Sequence, residues 1–80
     1  MCIGEAVKER ILELCREKNI SINKLSTMSG VTQSTVNNIV SGRNHSATVA
    51  TIKKLCDGLD ITLRDFFDAA VFEDLEQDIK

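Results

Sequence analysis

Apolar residues recur every three or four positions through most of this chain, in runs punctuated by residues that start or stop helices. Ile3, Val7, Ile11, Leu14 and Cys15 predict an amphipathic first helix from Gly4 to Lys18, which Asn19 can close in the left-handed conformation. Ile20 stands just before Ser21, a good N-cap, and is placed to pack onto the second helix, whose apolar positions are Ile22, Leu25 and Met28. Ser29-Gly30-Val31 breaks that pattern with a residue that tolerates positive φ. Thr32 then caps a third helix with Val36, Ile39 and Val40 on its inner side, and Gly42 ends it. Thr48 opens a fourth, whose core side is Val49, Ile52, Leu55, Cys56 and Leu59. After the break at Leu59-Asp60-Ile61, Thr62-Leu63-Arg64-Asp65 has the pattern of a capping box and begins a short fifth helix anchored by Leu63, Phe66 and Phe67.

The connection between the second and third helices is only three or four residues long and contains Gly30, so the helices must cross steeply, with Val31 buried beneath the corner. The third helix is thereby held out from the body. Its outer face consists of Gln33, Ser34, Asn37 and Asn38, amides and hydroxyls without a charge. Solvated helix faces usually carry Glu and Lys, whereas Asn and Ser compete for the backbone and weaken a helix. An amide offers a donor and an acceptor side by side, which matches the N6 and N7 edge of adenine in a major groove. Taken alone, this face is equally readable as a polar surface or as a base-reading one.

Charge distribution separates these readings. The formal net charge of the 80 residues is -2, which argues against nucleic acid, because Lys and Arg contacts to phosphate supply most of that affinity. Yet residues 18–56 contain Lys18, Lys24, Arg43, Lys53 and Lys54 and no carboxylate, while the acids lie at both ends. This basic segment coincides with the second to fourth helices. Arg43-Asn44-His45-Ser46 forms a polar loop before Thr48, and basic loops and helix N-termini are natural phosphate sites, so Arg43, Asn44 and Thr48 are candidate backbone contacts.

Length and composition predict one small all-helical domain: 42% of residues are hydrophobic, proline is absent, and no alternating β-branched run of strand length occurs. No stretch of about 18 apolar residues or charged-then-apolar leader is visible, so the expectation is a soluble, untargeted protein that engages no membrane. Cys2, Cys15 and Cys56 are odd in number and lack metal-ligand spacing, and His45 is the only histidine, so no metal or other cofactor and no small-molecule ligand is expected. Cys15 and Cys56 read as small core hydrophobes in a reducing compartment. An enzyme is disfavoured, since no nucleophile and base pair up.

The elements from Ile3 to Phe67 together resemble the Cro and repressor type of helix-turn-helix protein, the xenobiotic-response-element family of prokaryotic regulators. The resemblance is carried by the amphipathic first helix, Ile20-Ser21 and Leu25, the Ser29-Gly30-Val31-Thr32 turn, Gln33-Ser34-Thr35-Val36, Ile39, Ser41-Gly42-Arg43, and the Thr51-Ile52-Lys53-Lys54-Leu55 helix. It implies an all-α, compact five-helix, lambda-repressor-like bundle that places its third helix in the major groove of double-stranded DNA, commonly as a two-fold homodimer. Gln33, Ser34, Asn37 and Asn38 then fall at base or adjacent backbone positions, and Arg43, Asn44 and Thr48 at phosphate; Lys24, from the charge distribution, and Thr32 complete the candidate phosphate contacts. The chain departs from the family at Ile22, where a bracing Gln is common, at Asn38, where a basic residue is frequent, at Ala47, which replaces a frequent Pro, and at Asp60, where Gly often ends the fourth helix.

The expected organisation is a DNA-binding domain over residues 1–67 and an acidic amphipathic extension over residues 68–80. In that extension Phe67, Val71, Leu75 and Ile79 recur every four residues, with Phe72 beside them, and Asp68, Glu73, Asp74, Glu76 and Asp78 cover the remainder. Such a helix can fold back, dimerise or fray, and dimerisation through Val71, Phe72, Leu75 and Ile79 is preferred. The leading function is a stand-alone cytoplasmic, nucleoid-associated transcriptional regulator. The competing one is a protein-interaction module, such as an antitoxin, that uses the C-terminal helix to hold a partner.

Overall fold

In the computed structural model, which describes residues 1–41, 47–77 and 79, five helices follow in order: α1 (Ile3–Lys18), α2 (Ile22–Ser29), α3 (Gln33–Val40), α4 (Val49–Leu59) and α5 (Leu63–Phe67). A single 3₁₀ turn, Ala70–Phe72, comes after them, and there is no strand among the described residues.

Each boundary has a local chemical cause. The hydroxyls of Ser21, Thr32, Thr48 and Thr62 accept hydrogen bonds from the backbone N–H groups of Lys24, Thr35, Thr51 and Asp65, which would otherwise lack partners in the first turns of α2 to α5. Thr62 and Asp65 complete a reciprocal capping box, as their spacing predicts. Helices α1 and α4 stop in the same way. Asn19 (φ 54) and Asp60 (φ 58) turn left-handed, and the following Ile20 and Ile61 donate back to the carbonyls of Cys15 and Cys56 at 3.0 Å. Both isoleucines pack against the core.

Helix α2 lies against α4 and α3, α1 against α3, and α5 against α4. Ile11, Leu25, Val36, Leu55, Cys56, Leu59 and Phe66 are fully buried where these helices meet. Four positions predicted to be buried are not: Ile3, Met28 and Phe67 are 38%, 40% and 41% exposed, and Val49 is 69% exposed. All four lie in the first or last turn of a helix, where the element runs past the core. Gly58 marks the closest approach, since a Cβ there would sit 2.8 Å from the Cα and N of Ser29. Only a residue without a side chain lets α4 and the end of α2 come so near.

Arg10 is the unexpected member of the interior, at 9% exposure. Its Nε donates to the Phe66 carbonyl at 2.7 Å and its Nη2 to the Asp65 carbonyl at 2.8 Å, while Nη1 meets the Glu13 carboxylate at 2.5 Å. The last carbonyls of a helix have no partner within it, and a guanidinium fork supplies two donors at once. Arg10 thus fastens α1 to the end of α5, and Glu13 balances its charge.

Over residues 68–77 the predicted C-terminal amphipathic helix does not form. After Phe67 the chain leaves helical geometry at Asp68 (ψ 74), passes through extended Ala69, and makes only the 3₁₀ turn. This turn packs on α1, Phe72 lies against the core, and the Glu76 N–H donates to the Met1 carbonyl at 3.0 Å. A continuous helix would align Val71 with Phe67 and turn Phe72 aside. The observed path instead groups Phe66, Phe67 and Phe72 with ring centroids 5.0 to 6.0 Å apart. Acids also crowd the end where a helix dipole disfavours them.

Candidate nucleic-acid interface

The corner between α2 and α3 is built by serines. Gly30 (φ 71) closes α2 and donates to the Ser26 carbonyl at 3.1 Å, a conformation that needs no Cβ to be accommodated. The Ser26 hydroxyl reaches across the turn to the Val31 carbonyl at 2.5 Å, and the Ser29 hydroxyl donates to the Leu25 carbonyl at 2.8 Å. Val31 is 6% exposed beneath the corner, where the short connection puts it. These bonds set the direction in which α3 leaves the body.

From that corner α3 buries Val36 and Ile39 and half-buries Val40. Gln33, Ser34, Asn37 and Asn38 are all exposed on the opposite side. Among the described residues, none of these four side chains donates or accepts a hydrogen bond. The Thr35 hydroxyl is engaged by that of Thr32 at 2.9 Å, and the Ser41 hydroxyl by the Asn38 carbonyl at 3.3 Å. The structure therefore gathers the four predicted base-reading side chains on one surface, with their donors and acceptors open among the described residues.

The predicted phosphate contacts divide. Lys24 is exposed near the start of α2. Thr32 and Thr48 both cap helices, and each hydroxyl also bonds the hydroxyl three residues on, Thr35 and Thr51, at 2.9 Å. What each site offers an anion is therefore the N-terminal amides of α3 and α4 rather than a free hydroxyl. Arg43 and Asn44 lie outside the described residues, as does His45. Of the other cations in the acid-free segment, Lys53 is paired with Asp57 one turn on, whereas Lys54 is exposed without an ion pair among the described residues.

The C-terminal residues are not brought together as a stripe. Val71 and Leu75 are half-buried, Phe72 packs on the core, and Ile79 is 87% exposed. Burial pushes the Cys15 thiol up, and burial followed by the neighbouring Asp57 carboxylate does the same for Cys56, so both are poor nucleophiles at neutral pH. No group of three or more His, Cys, Asp or Glu among the described residues could hold a metal ion. None of the described helices is long and apolar enough to cross a membrane.

Two features escape the sequence pattern, Gly58 and Arg10. The only sequence signal for the first is a glycine inside an otherwise good helical run, and Arg10 follows Ala6 at a four-residue spacing on the buried side of α1.

An all-helical bundle whose second and third helices meet at a glycine corner, with the third presenting an open polar face, is a helix-turn-helix DNA-binding domain. Comparison with known proteins agrees: the profile of the Cro/C1-type HTH DNA-binding domain matches residues 10–70. The chain belongs to that family of DNA-binding transcriptional regulators. It is also similar to the crystal structure of prophage Lp1 protein 11, with a TM-score of 0.80 and 39% sequence identity, covering 94% of this chain and 100% of that chain. No curated protein matches it.

Proposed function

We propose that the protein binds double-stranded DNA sequence-specifically, with α3 in the major groove and Gln33, Ser34, Asn37 and Asn38 against the base edges. The observation that carries this reading is the α3 face, where four exposed polar side chains share one surface without bonds to the described protein. Lys24, Lys54 and the α4 N-terminus at Thr48, together with the Arg43-Asn44 loop, supply the contacts to phosphate. Binding takes place in the cytoplasm, on nucleoid DNA.

A single eight-residue helix spans few base pairs, so useful specificity calls for two copies on a two-fold site one DNA turn or a multiple apart. We assign the protein as such a homodimer on its operator. The rival reading, a partner-binding C-terminal helix, loses the element that was to carry it, because residues 68–77 hold only one 3₁₀ turn.

Selection from randomised duplex DNA with the full chain tests the proposal. A motif with two inverted half-sites is the expected result. Uniform retention of all sequences would overturn specific reading, and a single half-site bound by one copy would overturn the dimer.

A further inference from the structure

We infer that Ser26 is a positioning residue for base reading: its hydroxyl fixes the peptide plane from which α3 departs, and so sets the reach of Asn37 and Asn38 into the groove. This rests on the DNA-reading proposal above. Ser26 holds the corner from both sides, since its carbonyl accepts from the Gly30 N–H at 3.1 Å and its hydroxyl donates to the Val31 carbonyl at 2.5 Å. Among the described residues that Val31 carbonyl has no backbone donor. It belongs to the peptide that joins Val31 to Thr32, the N-cap of α3. The Thr32 hydroxyl is committed to the N–H and hydroxyl of Thr35, so the Ser26 bond is what restrains rotation of this plane.

Helix propensity gives no reason for a serine here. Ser26 lies in the interior of α2, where alanine is the better helix former and a hydroxyl competes for the backbone. The geometry supplies the reason. At a rise of about 1.5 Å per residue, a swing of α3 by about 10° about Thr32 moves Gln33 by only about 0.3 Å and Asn37 by about 1.3 Å. Hydrogen bonds from N–H to oxygen span only about 0.5 Å in length. Loss of the hydroxyl therefore falls on Asn37 and Asn38 and spares Gln33.

The test measures Ser26→Ala in the full chain, alone, with Gln33→Ala, and with Asn37→Ala and Asn38→Ala together. Fluorescence anisotropy reads affinity for the duplex selected from random DNA and for a scrambled one. Alanine's helix propensity offsets the lost bond, so Tm should stay within about 4 °C of the native chain. Affinity for the selected duplex should fall about five- to tenfold, with the scrambled duplex within about twofold of native and the salt slope unchanged. The loss should persist in full beside Gln33→Ala and largely vanish when both asparagines are gone, a pattern that a merely loosened fold does not give. Equal losses in both backgrounds, no loss at all, or a parallel fall on both duplexes would each overturn the inference and leave specific DNA reading intact. So would a Ser26→Ala chain that no longer folds, which would make the hydroxyl a support of the fold alone. A native chain that prefers no duplex overturns the DNA reading itself, and the inference with it.

Discussion

Gly58→Ala sets two effects of opposite sign against each other, which makes it a sharp test of how the helix-turn-helix is seated. In a helix interior alanine is favoured over glycine by about 0.8–1 kcal/mol, and at Gly58, the next-to-last residue of α4, that figure is an upper bound, so a Gly58 with free space around it would be modestly stabilised by the change. The structure places the new Cβ 2.8 Å from the Cα and N of Ser29 and 2.9 Å from its Cβ. Two of these three atoms are backbone and cannot rotate away. Restoring ordinary contact requires α4 and the end of α2 to separate by roughly 1 Å, a form of overpacking that costs typically ~1–3 kcal/mol. With near-rigid atoms on both sides the upper part of that range applies. Net destabilisation is then about 1–2 kcal/mol, or a Tm lower by about 4–16 °C for a domain of this size. Thermal unfolding followed by circular dichroism measures it. Ser29→Gly in the same background should recover little, since it removes one of the three close atoms. A Tm that is unchanged or raised by Gly58→Ala would refute the close approach, and with it the seating of Ser29 that sets up the Gly30 turn.

Arg10→Met keeps length and apolar bulk but strips the donors from the Asp65 and Phe66 carbonyls; loss of two charge-assisted bonds predicts about 2–4 kcal/mol of destabilisation in urea titrations. Arg10→Lys should recover only part, having no planar fork, and an Arg10→Met loss within ~0.5 kcal/mol would mean the fork contributes nothing net. Asp60→Gly should stabilise by about 0.5–1 kcal/mol, because glycine meets no penalty at φ 58 and an acid leaves the negative end of α4; a destabilised variant would contradict that. Because the Cys15 and Cys56 thiols are raised above the ordinary 9.0, the unfolded chain binds fewer protons than the native one once pH exceeds that value, so stability present below about pH 9 should decline above it. Stability rising over that range would refute the assignment. In the same fold, iodoacetamide followed by mass spectrometry should label half-buried Cys2 first; labelling of Cys15 or Cys56 at the Cys2 rate would disprove their burial.

The starts of α2 to α5 were legible in the sequence because each depends on one hydroxyl next to an apolar run, at Ser21, Thr32, Thr48 and Thr62. The stops at Asn19 and Gly30 were legible because few residues tolerate the left-handed conformation, whereas at Asp60 only the break was legible and its left-handed turn was not. The outer face of α3 followed from periodicity alone. What periodicity cannot carry is information about a partner element. Gly58 is fixed by the backbone of Ser29, 29 residues away, and Arg10 by carbonyls 55 and 56 residues away. The exposure of Ile3, Met28, Val49 and Phe67 depends on where the core ends, which a helical wheel does not register. The C-terminal segment misled for a related reason. A four-residue recurrence of Phe67, Val71, Leu75 and Ile79 is a helix signal only if the helix has something to lie on, and here the surface available to Phe72 is worth more. Arg43 and Asn44 rest on sequence alone.

Fluorescence anisotropy with the selected duplex and a scrambled one, titrated across several salt concentrations, tests base reading by α3 most directly. Two variants are set beside the native chain: Gln33→Ala with Asn37→Ala, and Lys24→Ala. Removing the amides should cut the ratio of specific to non-specific affinity by roughly tenfold or more while leaving the salt slope intact, since each base contact is worth about 1–3 kcal/mol and carries no charge. Lys24→Ala should weaken both duplexes alike and flatten the slope by about one unit. A ratio that survives loss of the Gln33 and Asn37 amides would show that specificity resides elsewhere and would contradict the account.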